Sequence, residues 1–193
     1  MATFAHNPPA GASAPTEPDA ATEPDTPAEP DAATELDAAT LRQAFGAYPT
    51  GVVAISALRG MEPVGFAASS FVSISLQPPM AAVSVARTST TWPRLTTAPV
   101  LGLSVLSRGQ GALCRRLASR EVNRFDGVAW KATPEGAVLI EDAALWLTAR
   151  VSATYDGGDH EIVLMELRTA ELFSGVEPLV FHTSQFRELT PHA

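Results

Sequence analysis

Residues 145–155 alternate without a break. Leu145, Leu147, Ala149, Val151, Ala153 and Tyr155 fall on one side, and Trp146, Thr148, Arg150, Ser152 and Thr154 on the other. A period of two sustained this long fits a half-buried antiparallel strand and no amphipathic helix. Asp156-Gly157-Gly158-Asp159 then supplies a hairpin turn, and 161–173 reads as the return strand. Upstream, strands are expected at 52–58, 64–69, 71–76, 80–86 and 100–106, punctuated by Gly60, Pro63, Pro78 and Pro79. Long strands, a long hairpin and few helices suggest a closed or partly closed β-barrel.

The expected helices are short and peripheral. Thr40 and Gln43 have capping-box spacing, with Leu41, Ala44, Phe45 and Tyr48 on one stripe until Pro49-Thr50-Gly51 stops the helix. Thr91-Trp92-Pro93 opens a second helix, proline being suited to a first turn. Ser107 and Gln110 mark a third, with Leu113, Cys114 and Leu117 inward and Arg115 and Arg116 outward. Residues 120–136 read as a loop.

The chain of 193 residues carries 13 Lys and Arg against 21 Asp and Glu, a net charge of -8, but the excess is local. Residues 1–40 hold eight of the acids and no Lys or Arg, so the other 153 residues hold 13 of each sign. Within that end, Thr16-Glu-Pro-Asp-Ala-Ala21 is echoed three times through Ala39. Such a segment has too little apolar surface to offset its ordering entropy, so residues 1–36 are expected to be a disordered acidic tail and residues 37–193 the folded domain. A tail of this kind either docks a partner or is a slippage repeat.

A near-neutral domain disfavours nucleic-acid binding, which needs a Lys/Arg surplus. No apolar run approaches a bilayer span. The N-terminus lacks a secretory pattern, and the single cysteine, Cys114, fits a reducing compartment, so the expected location is cytoplasmic.

Side-chain catalysis finds little support. There is no Walker loop and no Gly-x-Ser-x-Gly elbow, and His160 and His182 are too few for a histidine-built zinc site. A cleft in which a bound cofactor supplies the reactivity remains. Small residues at Ala67-Ala68-Ser69-Ser70-Phe71 would let a planar ligand approach the backbone, or would serve a tight barrel corner. Arg87-Thr88-Ser89-Thr90-Thr91 brings four hydroxyls and a guanidinium to a helix start, more than capping alone requires, and suits a phosphate. His160 follows the hairpin turn, a place where an exposed polar residue is ordinary. Arg108, Arg115, Arg116, Arg120 and Arg124 read as a solvated helix face rather than a phosphate clamp.

Phe45-Gly-Ala-Tyr-Pro-Thr-Gly-Val-Val53, Gly65-Phe-Ala-Ala-Ser-Ser-Phe…Pro78-Pro79, Ser89-Thr-Thr-Trp92 and Gly158-Asp-His160, taken in order, resemble the flavin reductase-like family. These are NAD(P)H:flavin oxidoreductases that supply reduced flavin to two-component monooxygenases. The resemblance implies an antiparallel split β-barrel of the FMN-binding type, acting as a homodimer. The implied cofactor is FMN or FAD, with NADH or NADPH as cosubstrate and a flavin-dependent monooxygenase as partner. By position, Ala67, Ala68, Ser69 and Ser70 would line the ring and ribityl chain. Ser89, Thr90 and Thr91, with Arg87 nearby, would hold phosphate. His160 would contact the nicotinamide, and Phe125 and the segment around Phe181 would flank the cleft. The competing readings are a non-catalytic flavin-binding or docking protein and a split-barrel oxidase of a small substrate.

Overall fold

The computed structural model describes residues 36–120 and 123–189. The expected acidic tail therefore lies outside the described residues, Leu36 apart. In chain order the elements are α1 (Ala38–Gly46), β1 (Thr50–Gly51), β2 (Val53–Arg59), β3 (Glu62–Ala68), β4 (Val72–Leu76), β5 (Pro79–Ala86), α2 (Trp92–Leu95) and β6 (Leu101–Val105). A single 3-10 turn, Arg108–Gln110, leads into α3 (Gly111–Ala118). Then come β7 (Trp130–Ala132), β8 (Val138–Ile140), β9 (Leu145–Gly157), β10 (His160–Leu172), β11 (Val180–His182) and β12 (Gln185–Arg187).

Seven strands form one antiparallel sheet in the order β3-β2-β6-β9-β10-β5-β4. Its two edges, β3 and β4, are neighbours in sequence, separated only by residues 69–71. Seven flat strands spaced ~4.8 Å apart would hold those edges ~29 Å from each other. The link between Ala68 and Val72 can reach only ~14 Å. The sheet must curl, and Ser70 in the link is tied to β5: its Oγ accepts the Ser84 N–H at 3.0 Å and donates to the Ser84 carbonyl at 2.9 Å. The mainly β split barrel expected from the sequence is the fold observed.

The barrel interior is filled by alternate residues of successive strands, among them Val53, Ile55, Val83, Val85, Leu101, Leu103, Leu147, Ala149, Val163 and Met165, with α2 contributing Trp92 and Leu95. A second core lies outside the barrel wall, where Ala54, Leu106, Cys114, Leu117, Phe125, Val138 and Ile140 meet. β2 is thus buried on both faces, which explains a run that is apolar apart from Ser56.

The 145–155 stripe is only partly continuous. Pairing between β9 and β10 jumps from Ala153↔Leu164 to Val151↔Met165, leaving Ser152 as a bulge. Leu147 and Ala149 face the barrel, whereas Ala153 and Tyr155 are turned to its outside, because an extra residue reverses the alternation. A second correction concerns 120–136, expected to be loop: β7 lies within it and pairs with β8, Trp130 opposite Ile140. The first helix also begins earlier than expected, capped by Asp37, whose Oδ1 accepts the Thr40 N–H at 2.7 Å. At the third helix the Ser107/Gln110 capping box is present, and Cys114 and Leu117 are buried as expected. Among the described residues no helix is long and apolar enough to cross a membrane.

Candidate functional site

Curling the sheet brings the β3–β4 corner, the end of β5 and the end of α3 together around an open cleft of about 790 Å3. One wall is Phe66, Ala67, Ala68, Ser69 and Ser70. Beside Ser70 the lining continues with Ser84, Val85 and Ala86, then Thr88, Ser89, Thr90 and Thr91 ahead of α2. Leu117, Ala118, Ser119, Arg120 and Arg124 close one end, and His160 also lines the cleft. The structure therefore brings together Ala67, Ala68, Ser69, Ser70, Ser89, Thr90, Thr91 and His160, although they come from three separate segments.

Arg87 does not line this cleft, and Phe125 lines an adjoining one that shares Thr90, Thr91, Arg120 and Arg124 with it. The Arg87 guanidinium is committed to the hairpin, with Nη2 2.6 Å from Asp156 Oδ1, Nε donating to the Gly158 carbonyl at 2.9 Å and Nη1 3.4 Å from Glu161 Oε1. Those contacts, the hydrogen bond first and the charge second, hold the exposed Asp156 carboxyl below its ordinary range. Phe125 is buried in the outer core, its ring tip 3.0 Å from where a Cβ on Gly65 would stand.

The hydroxyls divide their work. Ser70 is spent on the backbone of Ser84, and Ser89 Oγ accepts the Trp92 N–H at 3.1 Å as a cap. Thr91 Oγ1 accepts from Arg124 Nη1 at 2.8 Å. Ser69, Thr88 and Thr90 line the cleft with hydroxyls bonded to no other described group. α2 is a single turn of four residues, too short to gather much dipole. The positive charge comes instead from Arg120 and Arg124, residues that the sequence assigned to a solvated helix face.

Arg124 is the anchor of this end. Its Nη1 also donates to the Gly65 carbonyl at 3.3 Å, and its Nε is buried without a hydrogen-bond partner. Burial, and then the charge of Arg94, push its pKa down. Outside the cleft, Arg108 pairs with Glu177, Arg115 lies over the Phe186 ring, and Arg116 also has a buried Nε without a partner. The signal available in the sequence was position, since Arg120 and Arg124 follow the Ser119 cap and so leave the helix face.

His160 is the first residue of β10, paired with Gly157 on β9 and Ala86 on β5. The turn before it is only Gly158-Asp159, with Gly158 at φ +75°, as a two-residue turn of this hand requires. His160 Nδ1 lies 2.7 Å from Asp159 Oδ1, a bond that holds the Asp159 carboxyl low. With the carboxylate as acceptor, Nδ1 carries a proton and Nε2 is left for a ligand.

A split barrel with a hydroxyl- and arginine-lined cleft beside its seam is the architecture of a flavin-handling oxidoreductase. Residues 45–190 match the flavin reductase like domain, and the chain belongs to that family. It is 38% identical over 158 residues to an NADH-dependent FAD reductase of Streptomyces globisporus, covering 79% of this chain and 86% of that one. It is 34% identical over 145 residues to a flavin reductase of Pseudomonas putida, covering 73% and 84%. Among solved structures, the NADH:FAD oxidoreductase of Streptomyces globisporus C-1027, in complex with NAD and FAD fragments, superposes with a TM-score of 0.77 at 38% identity, covering 81% of this chain and 95% of that one. The flavin reductase component of a bacterial two-component tryptophan halogenase gives 0.73 at 30%, covering 81% and 100%.

Proposed function

We propose that this chain reduces flavin with NAD(P)H in the 790 Å3 cleft and passes the reduced flavin to a flavin-dependent monooxygenase. The observation that carries the reading is the composition of the cleft: small side chains along one wall, hydroxyls beside them, and two arginines at one end. The residues fit a flavin. Ala67 and Ala68 leave room for a ring against the strand, Ser69, Thr88 and Thr90 offer hydroxyls, and the buried, unpartnered Arg124 Nε sits where an anionic chain would end.

The bound nicotinamide and flavin supply the redox chemistry, a hydride passing from one ring to the other. The chain's task is placement. Holding two rings in reactive contact can contribute about 7 to 11 kcal/mol without an acid or a base. Ala67 and Ala68 set the depth of the ring, Thr90 and Arg124 fix the phosphate end, and His160 Nε2 orients the nicotinamide from the hairpin.

The test is nicotinamide oxidation measured with and without added FMN or FAD; no flavin-dependent oxidation with either would sink the reading. His160→Ala is expected to raise KM for the nicotinamide several-fold more than KM for flavin, and equal effects would reduce His160 to a turn residue. Residues 37–193 are proposed to carry the activity alone. Deleting residues 1–36 should leave the rate with free flavin within about twofold, and a large loss would make the tail part of the enzyme.

A homodimer fits the outer face of β4, β5, β10 and β9. There the register sets Val72, Ala82, Leu164 and Ala153 in one row and Ser84, Ile162 and Tyr155 in the next. Val72 is 50%, Ile162 41% and Tyr155 57% exposed, an apolar patch of the kind that marks an interface. Ser84 also lines the cleft, so a second copy on this face would border the site. Ile162→Asp is expected to give a monomer by light scattering. A wild-type chain that is already monomeric at micromolar concentration overturns the assignment.

A further inference from the structure

The hairpin turn that precedes His160 is built from permissive parts. Asp156-Gly157-Gly158-Asp159 holds two adjacent glycines, the residue type with the widest backbone freedom. The strand register then sets Asp156 directly opposite Glu161, and like charges in that position repel. Left to itself, such a turn would not keep the next side chain in one place.

Arg87 supplies what the turn lacks. Its backbone N–H donates to the Asp159 carbonyl at 3.0 Å, and its Nε donates to the Gly158 carbonyl at 2.9 Å. Nη2 lies 2.6 Å from Asp156 Oδ1 and Nη1 lies 3.4 Å from Glu161 Oε1. One guanidinium therefore answers both of the carboxylates that face each other. Exposed ion pairs of this kind add little to stability, because water competes for both partners. Their effect on the turn is geometric, since Asp156, Gly158, Asp159 and Glu161 are all held by a single residue.

We infer that Arg87 is a positioning residue for the nicotinamide: it acts through His160, by fixing the turn, and touches no cofactor itself. The inference rests on His160 meeting the nicotinamide in the cleft. His160 lines that cleft and Arg87 does not. A fixed turn also fixes Asp159, whose Oδ1 stands 2.7 Å from His160 Nδ1 and leaves Nε2 for the ligand. On its other side Arg87 opens the segment whose Thr88, Ser89, Thr90 and Thr91 line the cleft. The same residue thus joins the flavin side of the site to the nicotinamide side. Hydride transfer needs the two rings in register, and a misplacement of about 1 Å can cost on the order of a hundredfold.

The test combines Arg87→Met with His160→Ala. NAD+ does not react with oxidised flavin, so its Kd can be measured by calorimetry in each chain with FMN present. Arg87→Met is expected to raise the Kd for NAD+ and the KM for NADH about five- to tenfold, and to leave the Kd for FMN within about twofold. With His160→Ala already in place, Arg87→Met should add less than about twofold, because the two residues act as one unit. Arg87→Lys should recover part of the loss, since an ammonium can answer the carboxylates but lacks the fork that also reaches the Gly158 carbonyl. Equal weakening of FMN and NAD+, effects that multiply in the double variant, or a loss that His160→Ala does not share would make Arg87 a brace of the barrel and overturn the inference. An unchanged Kd for NAD+ in Arg87→Met overturns it too. NAD+ binding needs no flavin reduction. A chain that binds NAD+ through Arg87 and His160 but reduces no flavin keeps the inference and loses the functional reading, and one that reduces flavin with NAD+ binding indifferent to Arg87 does the reverse.

Discussion

A Gly102→Ala chain melts roughly 10 °C or more below the natural one, which corresponds to a loss of about 3 to 5 kcal/mol for a domain of this size. Gly102 sits in the middle of β6, between Ser56 of β2 and Thr148 of β9. β8 crosses directly over it. A Cβ at position 102 would stand 1.9 Å from the Val138 carbonyl oxygen and 2.7 Å from its carbon, both backbone atoms that no rotamer change can move. That carbonyl is held down by Ser56 Oγ at 3.0 Å, and two residues on, the Ile140 N–H is held by Ser104 Oγ at 2.9 Å. Lifting β8 to admit a methyl breaks both buried bonds, at about 1 to 3 kcal/mol for each group left unsatisfied. It also opens a core in which Ala137 and Val138 are wholly buried. Overpacking alone typically costs about 1 to 3 kcal/mol. The control is Gly109→Ala, where nothing lies within 4 Å of the added carbon, and which should melt within a degree or two of the natural chain. If Gly102→Ala melts there as well, the docking of β8 has been misjudged.

Gly102 also shows where sequence pattern stops informing. Within the run Leu101-Gly102-Leu103-Ser104-Val105 the pattern marks a strand, and the strand is there. It does not say that a second layer presses on the face carrying Gly102 and Ser104. Both residues look like polar or small positions open to solvent, yet Ser104 is fully buried because β8 covers it. β7 was missed for a related reason: three residues beside Pro134 and Gly136 carry too little periodicity to stand out from a loop. The long hairpin was legible because its alternation extends over many residues, and the break at Ser152 was not, since a bulge leaves no compositional mark.

The site divides along the same line. The residues expected on the β3–β4 corner, before α2 and at His160 do gather round one cleft, because strand order and turn chemistry place backbone segments. Which partner each side chain takes depends on contacts between segments distant in sequence. Arg87 stands beside the hydroxyl cluster in sequence but reaches Asp156 on the hairpin, 69 residues further along the chain. Ser70 reads as a cleft hydroxyl, and its oxygen is taken up by the Ser84 backbone on β5. Arg124 reads as one of five surface arginines, yet it lines the cleft with a buried nitrogen that has no partner.

Arg124→Met therefore separates the architecture of the site from its chemistry. Methionine keeps most of the apolar stem and removes the guanidinium. The fold loses two bonds from Nη1, to Thr91 Oγ1 and to the Gly65 carbonyl, both partly exposed and both able to find water. A small change in melting temperature is expected, of a few degrees at most. Flavin binding should suffer far more. A charge-assisted bond to phosphate contributes about 1.5 to 3 kcal/mol, so FMN and FAD affinities should each fall by roughly tenfold to a hundredfold. Both flavins are affected, because FMN and FAD share the phosphate that Arg124 would meet in the cleft. The kcat with saturating flavin should change little, since the guanidinium binds the chain of the flavin and not its ring. Arg124→Lys should restore part of the affinity through its charge, but not all, because an ammonium cannot span Thr91, the Gly65 carbonyl and a phosphate together. Unchanged flavin affinity in Arg124→Met, with melting lowered as far as in Gly102→Ala, would make Arg124 a strut of the barrel and leave the phosphate to Thr88 and Thr90.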